Sequence, residues 1–564
     1  MRKPGHDGWK ERIFEVQQAY WKGSAVIGYE KQQKINTELA EILSNIREQG
    51  RNKIQGSRDI SEQFDIGLYS QSTVRELMKK FIESSCHVSM LCTCEMTKFV
   101  NVIMGESVKI LREPPPCHFE VIAIGSLARG EATPYSDLEY IILVDRVESD
   151  IKEYFTKLSM TSYFLIGNLG ETNLKYMAIK ELDGWFQDMA KNGFKIDGLS
   201  PQAGNIPTGN GTSDRGYSFI TTPDDLFKAY EYVSNHPDED SLRGDLTAMM
   251  CFMTVLYSHG HKEGPLLQSL RLKVQAMELS EQRIHVNKEM LESDMRKFDF
   301  APDQRLVDQA YTVDAKRQLY RFPSILLFDL AVTNGIFEAD AWGTAGQLLA
   351  TKTISEDFHL CLMFQLAVAC YVRLSAYLYH DSQDDRISLA SQRVRINCQQ
   401  KDPSLNSPGD RWYVHTGLVL ALADTMIPMK TALGSPDVDT ARVCKHYSTE
   451  STSSSQAMCR IATLQHTGHT TLAFEMLVKR FGQLDLLLKP KGVHEWINSH
   501  PEFADQRNIE ILANILLESL RFNEALPLLF YLSEISTGCD KETIALSIAE
   551  CQRGLGDHEQ ALLT

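Results

Sequence analysis

Two short runs, FEVIAIG at 119–125 and EYIILVD at 139–145, constrain this chain more than any other feature. Both are rich in β-branched and other apolar residues, and neither is long enough for an ordinary helix, so they predict two buried strands. The triple proline Pro114, Pro115 and Pro116 stops any preceding helix and introduces the first of them. Helical stretches are expected around 149–158 and 174–191, followed by a strand-like FKID at 194–197 that ends in glycine. Residues 111–241 therefore read as a small mixed α/β domain.

The remainder reads as helix. In 1–110, Ile35, Leu39, Ile42, Leu43 and Ile46 fall on one helical face, and Val74, Leu77, Met78 and Phe81 repeat the spacing. From 242 to 432 the pattern is almost entirely helical, with faces such as Leu326, Leu327, Leu330 and Ala331, or Leu360, Phe364, Ala367, Val368 and Tyr371; 242–446 is expected to be a helical bundle. Ser448 to Gln456 has little to bury and reads as a solvated linker. Beyond it the chain repeats itself: Ala513 and Ala525 recur as Ala549 and Ala561 with the same internal spacing, and Leu555-Gly556 forms the turn of the last copy. The stretch around Gly468 and Ala473 looks like a degenerate earlier copy. Small residues at these places resemble the close-approach positions of tetratricopeptide repeats, so 457–564 is expected to be a partial array of helical hairpins. The predicted fold class is α+β, a small mixed sheet flanked by a helical bundle and C-terminal hairpins.

With 564 residues, 43 % of them apolar, the chain can bury several cores. Its formal net charge of -16 argues against broad binding to phosphate backbones, so nucleic acid is a disfavoured partner, although one local basic pocket for a nucleotide remains compatible with it. The 12 cysteines lack regular spacing, and Cys86, Cys92 and Cys94 have no second pair at zinc spacing; they read as structural thiols. Reduced thiols and an N-terminus without an apolar signal core lead to the expectation of a cytoplasmic protein. No uninterrupted apolar run approaches the ~20 residues of a spanning helix, and no membrane partner is expected. His259-Gly260-His261 has no third ligand spaced to help it and is set aside as a metal site. A Walker-type phosphate loop does not occur in the sequence.

Chemistry is concentrated between Gly125 and Glu139. A strand ends in Gly125-Ser126, where glycine lets the backbone turn sharply and approach a ligand, while serine and the following amides can bond phosphate oxygens. Asp137 and Glu139 lie two apart on an extended run, so both side chains project from one face and can hold a divalent ion between them. Oxygen donors suit Mg2+ or Mn2+, which can bridge triphosphate oxygens and activate an attacking hydroxyl. A third carboxylate is needed, and Asp197, ending FKID, is the choice because it is expected on a neighbouring strand edge; Asp214 is the reserve. Arg129 reads equally as a phosphate contact or as the partner of Glu131 in a salt bridge that shapes the loop.

A glycine-serine pair followed by carboxylate-x-carboxylate resembles the polymerase-beta nucleotidyltransferase superfamily. The fuller string GSLARGEATPYSDLEYIILV is similar to the nucleotidyltransferase domain of PII-protein uridylyltransferases and related transferases of bacterial signalling proteins. There a Gly-x-x-x-Arg-Gly-Glu precedes Ser-Asp-x-Asp, and Glu139 here replaces the second aspartate. The resemblance extends to NGFKIDGLS (192–200), which looks like the segment carrying the third acidic residue and so supports Asp197. It extends also to VDAKRQLYRFP (313–323), which makes Lys316 and Arg317 candidates for nucleotide contacts, although solvated charge at a helix start is the ordinary reading of such a pair.

The resemblance implies a metal-dependent transferase that moves a nucleoside monophosphate from a nucleoside triphosphate to a hydroxyl, with a protein acceptor recruited by the repeats. Asp137, Glu139 and Asp197 are then the catalytic metal ligands, and Gly125, Ser126, Arg129, Lys316 and Arg317 hold the nucleotide. The alternative is an inactive nucleotide sensor or scaffold that works through its repeats. An RNA or small-molecule transferase is a third reading, and the acidic balance disfavours RNA.

Overall fold

A computed structural model describes residues 29–64, 71–171, 193–196, 220–235, 252–259, 264–277, 289, 312–336, 340–388, 414–433, 440–448, 461, 463–465, 469–481, 484–488, 492–500, 506–536 and 540–563. The chain divides into two compact units, the first drawn from Met1–Ile60, Glu76–Asp299 and Asp314–Arg386, the second from Ser61–Arg75, Phe300–Val313 and Ile387–Thr564. The class is α+β, with a small mixed four-stranded sheet in the N-terminal region and a helical C-terminal part.

The first unit opens with two long helices, α1 (Tyr29–Ser61) and α2 (Gln71–Leu111). Four strands follow: β1 (Phe119–Ala123), β2 (Tyr140–Val144), β3 (Ile220–Thr221) and β4 (Thr254–Ser258), in the order β3-β2-β1-β4. β1 pairs antiparallel with both β2 and β4, and β2 pairs parallel with β3. Alternation along the central strands explains why both strands are apolar save for the buried Glu120 of β1. Phe119, Val121 and Ala123 join Tyr140, Ile142 and Val144 in a core that includes Ile35, Leu39, Leu43 and Ile46 of α1 and Phe99 and Ile103 of α2. On the other face, Ile122, Ile141 and Leu143 join Leu226 and Tyr230 of α5 (Pro223–Asn235) and Leu267, Leu270 and Val274 of α6 (Pro265–Ala276). A sheet covered on both faces has no polar side to offer. Each fully buried aliphatic side chain contributes about 1.5–3 kcal/mol to this arrangement.

β4 lies inside the segment that the spacing assigns to helix. TVLYS is an edge strand with only its middle residue, Leu256, fully buried, so it lacks the continuous apolar run that marks β1 and β2. The sheet thus draws on residues beyond 241. The helix expected around 149–158 is present as α4 (Ser149–Gly167), which buries Ile151, Phe155 and Leu158. The helix expected at 174–191, most of the linker and Gly468 lie outside the described residues.

The helical part of the first unit comprises α7 (Arg321–Thr333), α8 (Ala341–Ala350) and α9 (Glu356–His380). Leu326, Leu327, Leu330, Ala331, Leu360, Phe364, Ala367, Val368 and Tyr371 are all buried there. Helix α9 is long and apolar enough to span a bilayer, yet 94 % of its most apolar window is buried inside the protein, the position of a central core helix. Ser355 caps it, accepting from the Phe358 amide at 3.1 Å, and Asp381 ends it in a left-handed conformation.

The second unit is helical, with a core that joins Ala473, Leu477, Trp496, Leu512, Ala513, Ala525 and Leu528. Its last helices are α10 (Gln506–Glu518), α11 (Phe522–Ile535), α12 (Asp540–Gly554) and α13 (His558–Leu563). The turns after α10 and α12 have the same backbone pattern 36 residues apart. Arg521 N–H donates to Leu516 O and Asp557 N–H to Gln552 O, while Leu520 N–H donates to Leu517 O and Gly556 N–H to Arg553 O. Leu520 and Gly556 both take positive φ, 59° and 86°. This is the Schellman way of satisfying the last carbonyls of a helix.

Candidate functional site

The site begins where β1 ends. Ile124 N–H donates to Glu139 O at 3.1 Å, extending the β1–β2 pairing beyond the strands and setting Ile124 opposite Glu139, with Gly125 the next residue. Gly125 has φ +67°, and a Cβ added to it would stand 1.8 Å from Glu139 Oε2 and 2.8 Å from its Cδ. Glycine suits the left-handed conformation, and it leaves the flexible Glu139 carboxylate the place it occupies. Residues Gly125–Ala128 form a single helical turn, α3, closed by Arg129 N–H to Gly125 O and Glu131 N–H to Ser126 O. Ser126 and Glu139 are half-buried.

The turn is fixed from several sides. Gly130 O accepts from Ser89 of α2 at 3.1 Å and from the indole N–H of Trp342 of α8 at 3.1 Å. The Ala132 amide donates to Thr93 Oγ1 of α2, and the Ala341 amide to Arg129 O. Arg129 Nε donates to Glu131 Oε2 at 2.9 Å and its Nη2 to the Tyr320 hydroxyl at 2.7 Å, while that hydroxyl donates to the same Glu131 oxygen. Burial works against the Arg129 charge, but Tyr320 and Glu131 outweigh it and hold the guanidinium above the ordinary arginine value. The salt bridge of the loop-shaping reading is thus present, and it ties the turn to Tyr320. Lys316 is half-buried and Arg317 exposed on the π-helical turn Ala315–Tyr320, where the Arg317 amide is capped by Asp314 Oδ1 at 2.8 Å.

Asp137 sits two residues before Glu139, half-buried, with Leu138 between them bridged in parallel to Ile196. The Leu138 amide donates to Lys195 O at 2.7 Å, so Lys195 and Ile196 run beside Leu138, the residue between the two carboxylates. Asp197, the next residue, and Asp214 lie outside the described residues. Lys195 Nζ stands 3.7 Å from Asp137 Oδ1, and Gln383 Nε2 donates to Asp137 Oδ2 at 3.5 Å. Asp137 Oδ1 is shielded from solvent and accepts no hydrogen bond. A shielded carboxylate oxygen is a donor of the hard, anionic kind that Mg2+ or Mn2+ takes, although among the described residues no three His, Cys, Asp or Glu side chains come together as a metal-holding group.

Three groups at this site are not evident from motif reading. Lys195 had a signal, since it belongs to the strand-like FKID. Gln383 and Asp381 had none, because they come from the strap Asp381–Asp385 after α9, far along the chain. Asp381 Oδ1 accepts from the Tyr135 hydroxyl at 2.8 Å and lies 3.5 Å from Arg51 of α1, while Arg47 of α1 stacks over the Tyr135 ring at 4.0 Å and donates to Glu171 from both terminal guanidinium nitrogens. Farther along the strap, Asp385 accepts from the Tyr377 hydroxyl and stands 3.8 Å from the buried Arg373, whose guanidinium covers the Tyr320 ring at 4.2 Å. The loop holding the carboxylates is thereby gripped by α1 and by the end of α9.

Residues 71–171 match the family model described as Putative nucleotidyltransferase DUF294. The matched segment contains α2, β1, the Gly125–Ala128 turn, Asp137, Glu139 and β2. It supports assignment of this segment to the nucleotidyltransferase superfamily, and so nucleotidyl transfer from a nucleoside triphosphate as the general activity. Comparison with curated proteins gave no match.

Proposed function

We propose that this protein is a metal-dependent nucleotidyltransferase that moves a nucleoside monophosphate to a hydroxyl acceptor on a protein. The observation that carries the reading is the fit of Glu139 against Gly125, two residues from the shielded oxygen of Asp137. A side chain at Gly125 would push the flexible end of Glu139 out of its present place, so glycine at 125 keeps the carboxylate at the end of β1. Asp137 and Glu139 are proposed to hold Mg2+ or Mn2+, with Asp197 as the third ligand. Such an ion supplies charge stabilisation for the entering and leaving oxygens of an in-line displacement.

The chain's own groups do the rest. Gly125 and Ser126 hold the triphosphate against the end of β1, and Arg129, fixed by Glu131 and Tyr320, adds positive charge at the turn. Lys316 and Arg317 are proposed to contact the nucleotide from the neighbouring π-helical turn. The acceptor oxygen bonds to the α-phosphorus as the bond to the bridging oxygen breaks, pyrophosphate leaves, and the hydroxyl proton passes to Asp197 as base. The likeness of GSLARGEATPYSDLEYIILV to PII-protein uridylyltransferases favours a protein acceptor. The repeated turn geometry of the C-terminal hairpins supports a tetratricopeptide-like array that recruits it, in the cytoplasm.

The test is incubation with labelled nucleoside triphosphates, Mg2+ or Mn2+ and cell lysate, beside Asp137→Ala. Label transfer or pyrophosphate release that disappears in the variant supports the reading. Activity surviving in the variant removes this site, and nucleotide binding without either product favours the alternative sensor or scaffold.

A further inference from the structure

The ammonium of Lys195 stands 3.7 Å from Asp137 Oδ1. Its backbone is fixed there, because Lys195 O accepts the Leu138 amide at 2.7 Å and Ile196 bridges Leu138. Its side chain is only 14 % exposed and that of Asp137 17 %, so the pair is poorly screened by water. At 3.7 Å the contact is ionic and not a formed hydrogen bond, and Asp137 Oδ1 keeps its lone pairs unengaged. A cation held near, but not bonded to, a ligand oxygen lowers the local negative charge while leaving the oxygen available.

We propose that Lys195 balances the negative charge of Asp137 before the divalent ion arrives and contacts the triphosphate once it is present. This rests on the metal-dependent reading above. The physical consequence is a pair of effects with opposite signs. A positive charge a few ångströms from the ion opposes binding of the ion alone, whereas the same charge favours binding of the ion together with a polyanion. A lysine that only braces the strand has no reason to produce that reversal.

The experiment measures Mn2+ binding to the full chain by the loss of the free-ion paramagnetic resonance signal, first alone and then with inorganic tripolyphosphate as probe. Lys195→Met is expected to tighten Mn2+ binding alone by about three- to tenfold and to weaken tripolyphosphate binding in the presence of Mn2+ by about tenfold. Lys195→Arg, which keeps the charge, is expected to restore wild-type values on both measurements. Lys195→Gln, closer in polarity, repeats the first comparison where the methionine variant does not fold. Unchanged or weakened Mn2+ binding in the folded Met or Gln variant overturns the role of Lys195. Mn2+ binding that Asp137→Ala leaves intact overturns the underlying metal site instead, so the two failures are distinguished.

Discussion

The carboxylate of Glu139 lies directly against the α-carbon of Gly125, in space that any side chain there would fill. Gly125→Ala sets a Cβ into the carboxylate and places alanine at φ +67°, a left-handed conformation that costs an ordinary residue about 1–2 kcal/mol. Glu139 must move. Expected results are loss of tight Mn2+ binding and a fall in transferase activity of about 100-fold or more, the scale of a misplacement of about 1 Å at a reacting centre. Wild-type Mn2+ affinity in a folded Gly125→Ala variant would show that Glu139 does not act from this position.

Glu120 of β1 ties the sheet to α6. Fully buried, it accepts from the Leu266 and Leu267 amides, each at 2.9 Å, at the start of a helix whose first turn has no acidic residue of its own. Glu120→Ala leaves those donors without their acceptor and removes a negative charge from a helix N-terminus. A loss of about 3 kcal/mol is expected in urea unfolding of the first unit, with Glu120→Gln intermediate. A loss below about 1 kcal/mol would mean that water replaces the cap.

Burial sets the chemistry of the thiols on α2. It pushes Cys92 from 9.0 up to about 12, with Glu95 adding to it, and Cys86 up to about 11 with Asp340 as the lesser cause. A group whose folded value lies above its unfolded one stabilises the fold below the unfolded value. That stability is lost as pH rises through the interval, here from about 9 to about 12. The melting temperature should therefore fall steadily above pH 9.0, and less steeply in Cys92→Ala. In mildly alkaline buffer an alkylating agent should label the exposed Cys94 well before Cys92, as peptide mapping would show.

The repeated turns make a test of their own. Leu520 takes φ 59° where Gly556 serves 36 residues later, and its side chain is 74 % exposed, so little burial is lost on removing it. Leu520→Gly relieves the left-handed penalty of about 1–2 kcal/mol and increases unfolded-chain entropy by about 0.4–1 kcal/mol. A net gain of about 0.5–1 kcal/mol in denaturant is expected. Gly556→Leu should do the reverse.

The strands and the site were legible in the sequence to different degrees. FEVIAIG and EYIILVD declared themselves because both faces of β1 and β2 are covered, which leaves no polar alternation to confuse them with surface. TVLYS did not, because an edge strand with one fully buried residue carries no such run. Gly125, Asp137 and Glu139 were evident from local spacing, and the Arg129–Glu131 pair from adjacency. Gln383 and Asp381 reach the same loop from 246 residues away, a distance that no local pattern encodes. Tyr320 was within a segment already singled out, but for its neighbours Lys316 and Arg317; that its hydroxyl joins Arg129 to Glu131 follows only from the tertiary packing.

Nucleotidyl transfer at the Asp137–Glu139 pair is tested most directly by following pyrophosphate release from labelled nucleoside triphosphates with Mg2+ or Mn2+, wild type against Asp137→Ala, with folding of both checked by circular dichroism. Release by the wild type that falls by about 100-fold or more in the folded variant is the predicted result. Equal release by both proteins would contradict it.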